Sequence, residues 1–194
     1  MTDIAIIATW TIASYLLGMV PFGDIVARIA GVDIRSVGTR NPGAANVYRE
    51  IGPKYGIAVF ALDVAKGAVA TAPLLALDLP SWATLPPAFA VVLGHIFPVI
   101  GKQSGGTGMA TAIGTTVGLA PFGLLAGIPA ALILLAITRN AGFTGGLLFL
   151  ATALLAWVVR EEVIGPLGVL GIGVLVLAKA RLQYGSLRRR KAED

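Results

Sequence analysis

Apolar runs dominate this chain, and short polar stretches separate them. Runs of spanning or near-spanning length fall at about 4–29, 56–77, 82–100, 108–120, 121–138, 141–159 and 163–180. A helix that crosses the hydrocarbon of a bilayer needs roughly 20 residues at about 1.5 Å each. The pattern therefore predicts an all-α integral membrane protein with seven transmembrane helices. The fourth and fifth runs touch at Pro121, and the fourth is short for a crossing. They read either as two short helices meeting at a tight turn or as one kinked helix, because proline removes a backbone donor and crowds the turn before it. The first run lacks a small-residue cleavage pattern, so it reads as a retained span and not as a signal peptide.

Charge placement favours seven spans over five or six. With seven, the stretches 30–55, 101–107, 139–140 and everything after 180 share one side. That side carries Arg35, Arg40, Arg49, Lys54, Lys102, Arg139 and the run Arg188, Arg189, Arg190, Lys191. The other side carries Asp3, Asp78, Glu161 and Glu162, with Arg160 the one basic residue. The positive-inside rule then puts the N-terminus outside and the C-terminus in the cytoplasm. Residues 1–194 read as a single domain with a basic cytoplasmic tail from about 181.

Composition agrees with that reading and excludes several chemistries. At 56% hydrophobic and 13% charged, the chain is well below the roughly 25% charge of a soluble domain. It has no Cys and one His, which removes disulfides, thiolate metal sites and His-rich metal sites; no metal or other cofactor is expected. The net charge of +5 is accounted for by topology. A nucleic-acid partner would need a basic face interleaved with stacking aromatics, and none is seen. Glycines recurring in the later runs, such as Gly123, Gly127, Gly145 and Gly146, read as close helix packing.

Two polar stretches on the cytoplasmic side carry the candidate chemistry. The first is VGTRNPGAANVYRE at 37–50, where Thr39, Arg40, Asn41, Asn46 and Arg49 surround a turn at Pro42-Gly43. Hydroxyl, amide and guanidinium groups beside free backbone N–H donors suit a phosphate. The second is GHIFPVIGKQSGGTGMAT at 94–111, in which Ser104-Gly105-Gly106-Thr107-Gly108 leads into an apolar helix. A glycine-rich turn at a helix N-terminus directs unpaired N–H groups and a positive dipole end at an anion. It is not a P-loop, because the Gly-Lys-Ser/Thr ending is missing. Lys102 and His95 flank this turn. Asp63 and Lys66 lie three apart inside a span, where they either neutralise one another or meet substrate; Asp24 in the first span is open to the same two readings.

Taken together these motifs resemble the bacterial acyl-phosphate:glycerol-3-phosphate acyltransferases, the PlsY family. The likeness runs through Gly18, Pro21-Phe22-Gly23, Gly38, Asn41-Pro42-Gly43-Ala44, Asn46-Val47, Arg49, Leu62-Asp63, Lys66-Gly67, Gly94-His95, Phe97-Pro98, Gly105-Gly106, Gly108 and Ala110-Thr111. It covers about residues 15–115. The resemblance implies a seven-helix enzyme of the bacterial inner membrane with its site on the cytoplasmic face. The enzyme would move a fatty acyl group from acyl phosphate to the 1-hydroxyl of glycerol 3-phosphate, giving lysophosphatidic acid. His95 and Asn46 are the expected catalytic residues. Thr39, Arg40, Asn41, Gly43, Arg49, Lys66, Lys102, Ser104, Gly105, Gly106, Thr107 and Gly108 are the expected substrate and phosphate ligands. Membrane lipid is the remaining partner, and the oligomeric state is left open, with a monomer compatible. A His-x-x-x-x-Asp acyltransferase mechanism is absent, because Ile100 stands five residues after His95.

The chain departs from the family pattern where phosphate is expected to bind. Arg40 replaces a glycine and Ala45 a hydroxyl residue in the first loop. Ser104 and Thr107 replace both lysines of the second. Arg40 and Lys102 are the candidates to compensate. The alternative reading is a divergent paralogue that binds a phosphorylated lipid or metabolite with altered or lost acyl transfer; a small transporter or scaffold is the second rival.

Overall fold

The computed structural model describes residues 3–99, 104–159 and 163–193, except the side chains of 141 and 184–193. Among the described residues there are helices and turns and no strand. The first apolar run is divided into α1 (Asp3–Gly18) and α2 (Phe22–Ile29). Pro21 sits at the break, where its missing N–H prevents one helix from running through. A seven-residue helix, α3 (Ala44–Glu50), lies inside the first polar stretch. α4 (Pro53–Thr71) opens on a proline, which suits a first helical turn. Two 3-10 turns, Ala72–Ala76 and Ser81–Thr84, lead into α5 (Leu85–Ile96). α6 (Met109–Leu119), α7 (Pro121–Thr138), α8 (Ala141–Val158) and α9 (Ile164–Glu193) follow.

Several boundaries differ from those expected. The run at 82–100 is helical only to Ile96, because Phe97 precedes Pro98 and is forced out of the helical region (φ −127°, ψ 66°). The runs at 108–120 and 121–138 are two helices, separated at Ala120 (φ −155°, ψ 67°), not one kinked helix. The basic stretch from 181 is helical, since α9 continues through it to Glu193. Among the described residues, four apolar segments are long enough to cross a membrane: Asp3–Ile29, Pro53–Ala76, Pro121–Thr138 and Ile164–Gln183. Ser81–Ile96, Met109–Leu119 and Gly142–Val158 are shorter.

Glycine contacts set the relative directions of these helices. α1 and α5 run parallel and nearly touch backbone to backbone where they cross, with Gly18 against the Val91 carbonyl and Gly94 against that of Tyr15. α4 and α6 run parallel, with Gly67 on the Thr111 carbonyl and Gly114 on that of Val64. α8 is antiparallel to both neighbours, meeting α7 through Gly123 and Gly127 and α9 through Gly146 and Gly173. α1 is antiparallel to α4, and the indole Nε1 of Trp10 donates to the Ala70 carbonyl at 2.9 Å. The C-terminal ends of α1, α5, α7 and α9 therefore share one end of the bundle with the N-terminal ends of α4, α6 and α8. His95, near the end of α5, and the glycine turn before α6 both lie at that end.

The main core comprises Val91, Val92, Ile96, Ala112, Phe149, Val169, Ile172 and Val176, from α5, α6, α8 and α9. A second cluster of Val26, Ala27, Ile34, Val47 and Val59 seats the first polar stretch on α2 and α4. The outer surface carries Ile12, Leu16, Leu132, Ile133, Trp157 and Val174, all more than half exposed. Such a surface has lipid as its solvent. α6 spans only about 16 Å at 1.5 Å per residue, but it lies inside the bundle with most of its residues buried.

Candidate functional site

The break between α1 and α2 is the first structural feature of the site. It turns the carbonyls of Gly18 and Val20 out of helical pairing, and the Lys66 ammonium donates to both at 3.2 and 3.3 Å. Lys66 also pairs with Asp63 one turn earlier on α4, at 2.7 Å. The two side chains therefore form an ion pair within the helix. Both side chains are at most 3% exposed, so the pair cannot be relaxed into water.

His95 completes this cluster. Its Nδ1 lies 2.7 Å from Lys66 Nζ, 3.3 Å from Thr111 Oγ1 and 3.5 Å from Asp63 Oδ1. A lysine ammonium has donors only, so Nδ1 accepts from it and the neutral ring then carries its proton on Nε2. Nε2 faces the second glycine loop, close enough that a Cβ on Gly106 would collide with it. A Cβ on Gly105 would meet the His95 carbonyl in the same way. These two glycines let the loop backbone lie against the imidazole. Gly108 takes a left-handed conformation (φ 84°) as the N-cap of α6, and no side chain caps that helix. Its first N–H groups therefore point from the turn without a side-chain acceptor.

The first polar stretch folds over this cluster. Asn46, on α3, accepts the Thr39 N–H at 3.0 Å and donates to the carbonyls of Val37 and Ile34 at 3.2 and 3.5 Å. With three hydrogen bonds to backbone and 2% exposure, Asn46 holds the shape of the loop. The Gly43 N–H reaches Asn41 Oδ1 at 3.3 Å. Asn41 is itself buried, with its amide beside Gly106. Arg40 has φ 57° and is exposed, and Arg49 is exposed on α3. Thr107 is half-buried in the glycine turn. Lys102 lies outside the described residues.

By sequence Arg35 reads as one of the topology-setting residues, yet it joins three parts of the site. Its Nε and Nη2 bind the two oxygens of Asp24 at 2.6 and 2.8 Å, and its Nη1 donates to the Ser104 carbonyl at 2.9 Å. A fork of this geometry is what guanidinium offers and an ammonium does not. Arg35 therefore meets the glycine turn. The partners are 11 and 69 residues away in the chain, so no local spacing betrays them. A cleft lined by Met19, Pro21, Phe22, Asp24, Arg35, Pro42, His95, Pro98, Gly105 and Gly106 opens between these loops. Among the described residues no group of His, Asp and Glu is arranged to hold a metal ion.

The chain is similar to known proteins in both sequence and fold. Residues 8–190 match the family model described as glycerol-3-phosphate acyltransferase. A glycerol-3-phosphate acyltransferase of Aquifex aeolicus is 43% identical over 111 residues, 57% of this chain and 58% of that one. The match to the Geotalea daltonii protein likewise spans 60% of its length. The protein of Anaeromyxobacter dehalogenans is 38% identical over 180 residues, covering 87% of both chains. Among solved structures, PlsY (YgiH), an integral membrane glycerol 3-phosphate acyltransferase, superposes in its glycerol 3-phosphate form with a TM-score of 0.83. It is 32% identical, and the match covers 94% of this chain and 92% of that one. Its lysophosphatidic acid form gives a TM-score of 0.81 at 30% identity.

Proposed function

The chain belongs to the glycerol-3-phosphate acyltransferase family, and from that premise we propose that it transfers a fatty acyl group from acyl phosphate to the 1-hydroxyl of glycerol 3-phosphate. The observation that carries this reading is His95 Nε2 against a glycine turn at an uncapped helix N-terminus. Such a turn supports anion binding through its N–H groups. The bond between the acyl carbon and the phosphate oxygen breaks, and an ester bond to the glycerol oxygen forms. The departing phosphate carries away the hydroxyl proton, and lysophosphatidic acid is the product. Because acyl phosphate is already activated, the protein needs chiefly to position two anions and stabilise developing charge. His95, with its proton on Nε2, is suited to donate a hydrogen bond to the reacting oxygens, which leaves proton removal to the substrate phosphate. Asn46 then acts by holding the loop, and Thr39, Asn41 and Arg49 border the phosphate.

We read the seven apolar segments as seven crossings, with the three shorter ones sheltered by protein at their ends. The alternating helix directions support this, as does the collection of basic residues at the site end. That end faces the cytoplasm of a bacterial inner membrane, and the N-terminus lies outside.

One observation favours the divergent reading. Among the described residues lining or closing the cleft, buried Lys66 and half-buried Arg35 already have carboxylate partners, Asp63 and Asp24. The direct test incubates purified protein with acyl phosphate and glycerol 3-phosphate and measures phosphate release and lysophosphatidate. Turnover is the expected result. Binding of either substrate without turnover would establish the divergent paralogue, and neither binding nor turnover would refute both readings.

A further inference from the structure

α9 changes character where it reaches the candidate site. Its buried residues Val169, Ile172 and Val176 repeat at three- and four-residue spacing, and the next position on that face is Lys179. α9 runs parallel to α5, with Gly168 against Leu85 and Gly171 against Phe89. The same register brings Lys179 to the end of α5, where its ammonium lies 5.1 Å from the centroid of the Phe97 ring. Phe97 is two residues beyond His95.

A lysine that only sets topology belongs on the lipid-facing side, where its stem can snorkel to the head groups. On α9 that side is Val174, Leu177 and Leu182, all exposed. Arg181, also exposed, fits that role. Lys179 is half-buried instead, and among the described residues no carboxylate pairs with it. Removing water from an ammonium without a counter-anion is unfavourable, and an aromatic face offsets that only in part. Lys66 and Arg35, the other sheltered cations, each have an acidic partner. Lys179 is thus poised for an anion that none of the described residues provides.

We propose that Lys179 binds a phosphate oxygen of a substrate, supplying from α9 the charge that Ser104 and Thr107 do not supply in the glycine turn. This rests on the phosphate-site reading above. Both substrates carry a phosphate group, so the kinetics must identify which one Lys179 meets.

The test compares Lys179→Met, which keeps an apolar stem over Phe97, with Lys179→Arg, which keeps the charge. Each is assayed in lipid nanodiscs with glycerol 3-phosphate and a fatty acyl phosphate, varied separately. Lys179→Met should raise KM for one substrate about tenfold or more, the factor that a charge-assisted contact carries. Its kcat should stay within a few-fold of the parent, and Lys179→Arg should restore KM. The substrate whose KM rises is the one held. Unchanged KM for both substrates in Lys179→Met overturns the assignment, as does a loss confined to kcat. If the parent protein binds glycerol 3-phosphate or acyl phosphate by calorimetry without turning it over, acyl transfer is refuted. The assignment then stands only if Lys179→Met weakens that binding about tenfold. No binding of either substrate by the parent overturns both.

Discussion

At the scale of single residues, the site depends on a polar cluster that is sealed from solvent. Replacing Asp63 by Ala leaves the Lys66 ammonium buried without its carboxylate, a change that costs roughly 3–5 kcal/mol in comparable settings. Thermal unfolding in detergent should show that loss. The double replacement Asp63→Leu with Lys66→Met should recover much of the stability but not the activity, because His95 Nδ1 then loses the donor that holds its proton on Nε2. Gly106→Ala tests the loop more narrowly. Its new Cβ meets His95 Nε2, so kcat should fall about a hundredfold, as expected for misplacement by about 1 Å, while the melting temperature changes little. His95 and the glycine turn were legible in the sequence because their chemistry is uncommon in an apolar chain. The Arg35–Asp24–Ser104 junction was not, since its members share no helical or strand spacing and meet only after the loops fold. Lys66, open to two roles by sequence, is buried by the fold beside a carboxylate partner one turn away.

At the scale of elements, the helices in contact are those whose glycines remove the side chain from the contact. Gly67 of α4 rests on the Thr111 carbonyl of α6, and Thr111 in turn faces His95. Gly67→Val should therefore push α6 away, lowering stability by about 1–3 kcal/mol through overpacking and lowering kcat as Thr111 moves. Gly142→Ala on α8, whose added Cβ would find its nearest neighbour at 3.6 Å, should leave both within the error of unfolding and steady-state assays. Hydropathy located the apolar helices well because each must bury or present an apolar surface over its whole length. It placed their ends poorly at residues 18–21, 97 and 120, where proline and the local backbone, not hydropathy, decide where a helix stops.

At the scale of the whole molecule, the reading of seven crossings puts residue 139 on the site face and residue 78 on the opposite one. The chain has no cysteine, so Arg139→Cys and Asp78→Cys each introduce a unique thiol, and both positions are exposed. In intact cells an impermeant maleimide should label Cys at 78 and spare Cys at 139 until the membrane is opened. Labelling of both from outside would refute the orientation.

The sequence by itself determined the membrane as solvent, the helical class, the two polar stretches and the family. Those properties follow from side-chain chemistry and from periodicity along the chain, which need no folded partner to be read. Only the tertiary structure decided that Lys66 is held by Asp63, that Asn46 braces the loop, that Arg35 meets the glycine turn and that α9 turns Lys179 inward. Each of these depends on which helix faces which, and that is decided by close backbone packing between residues far apart in the chain.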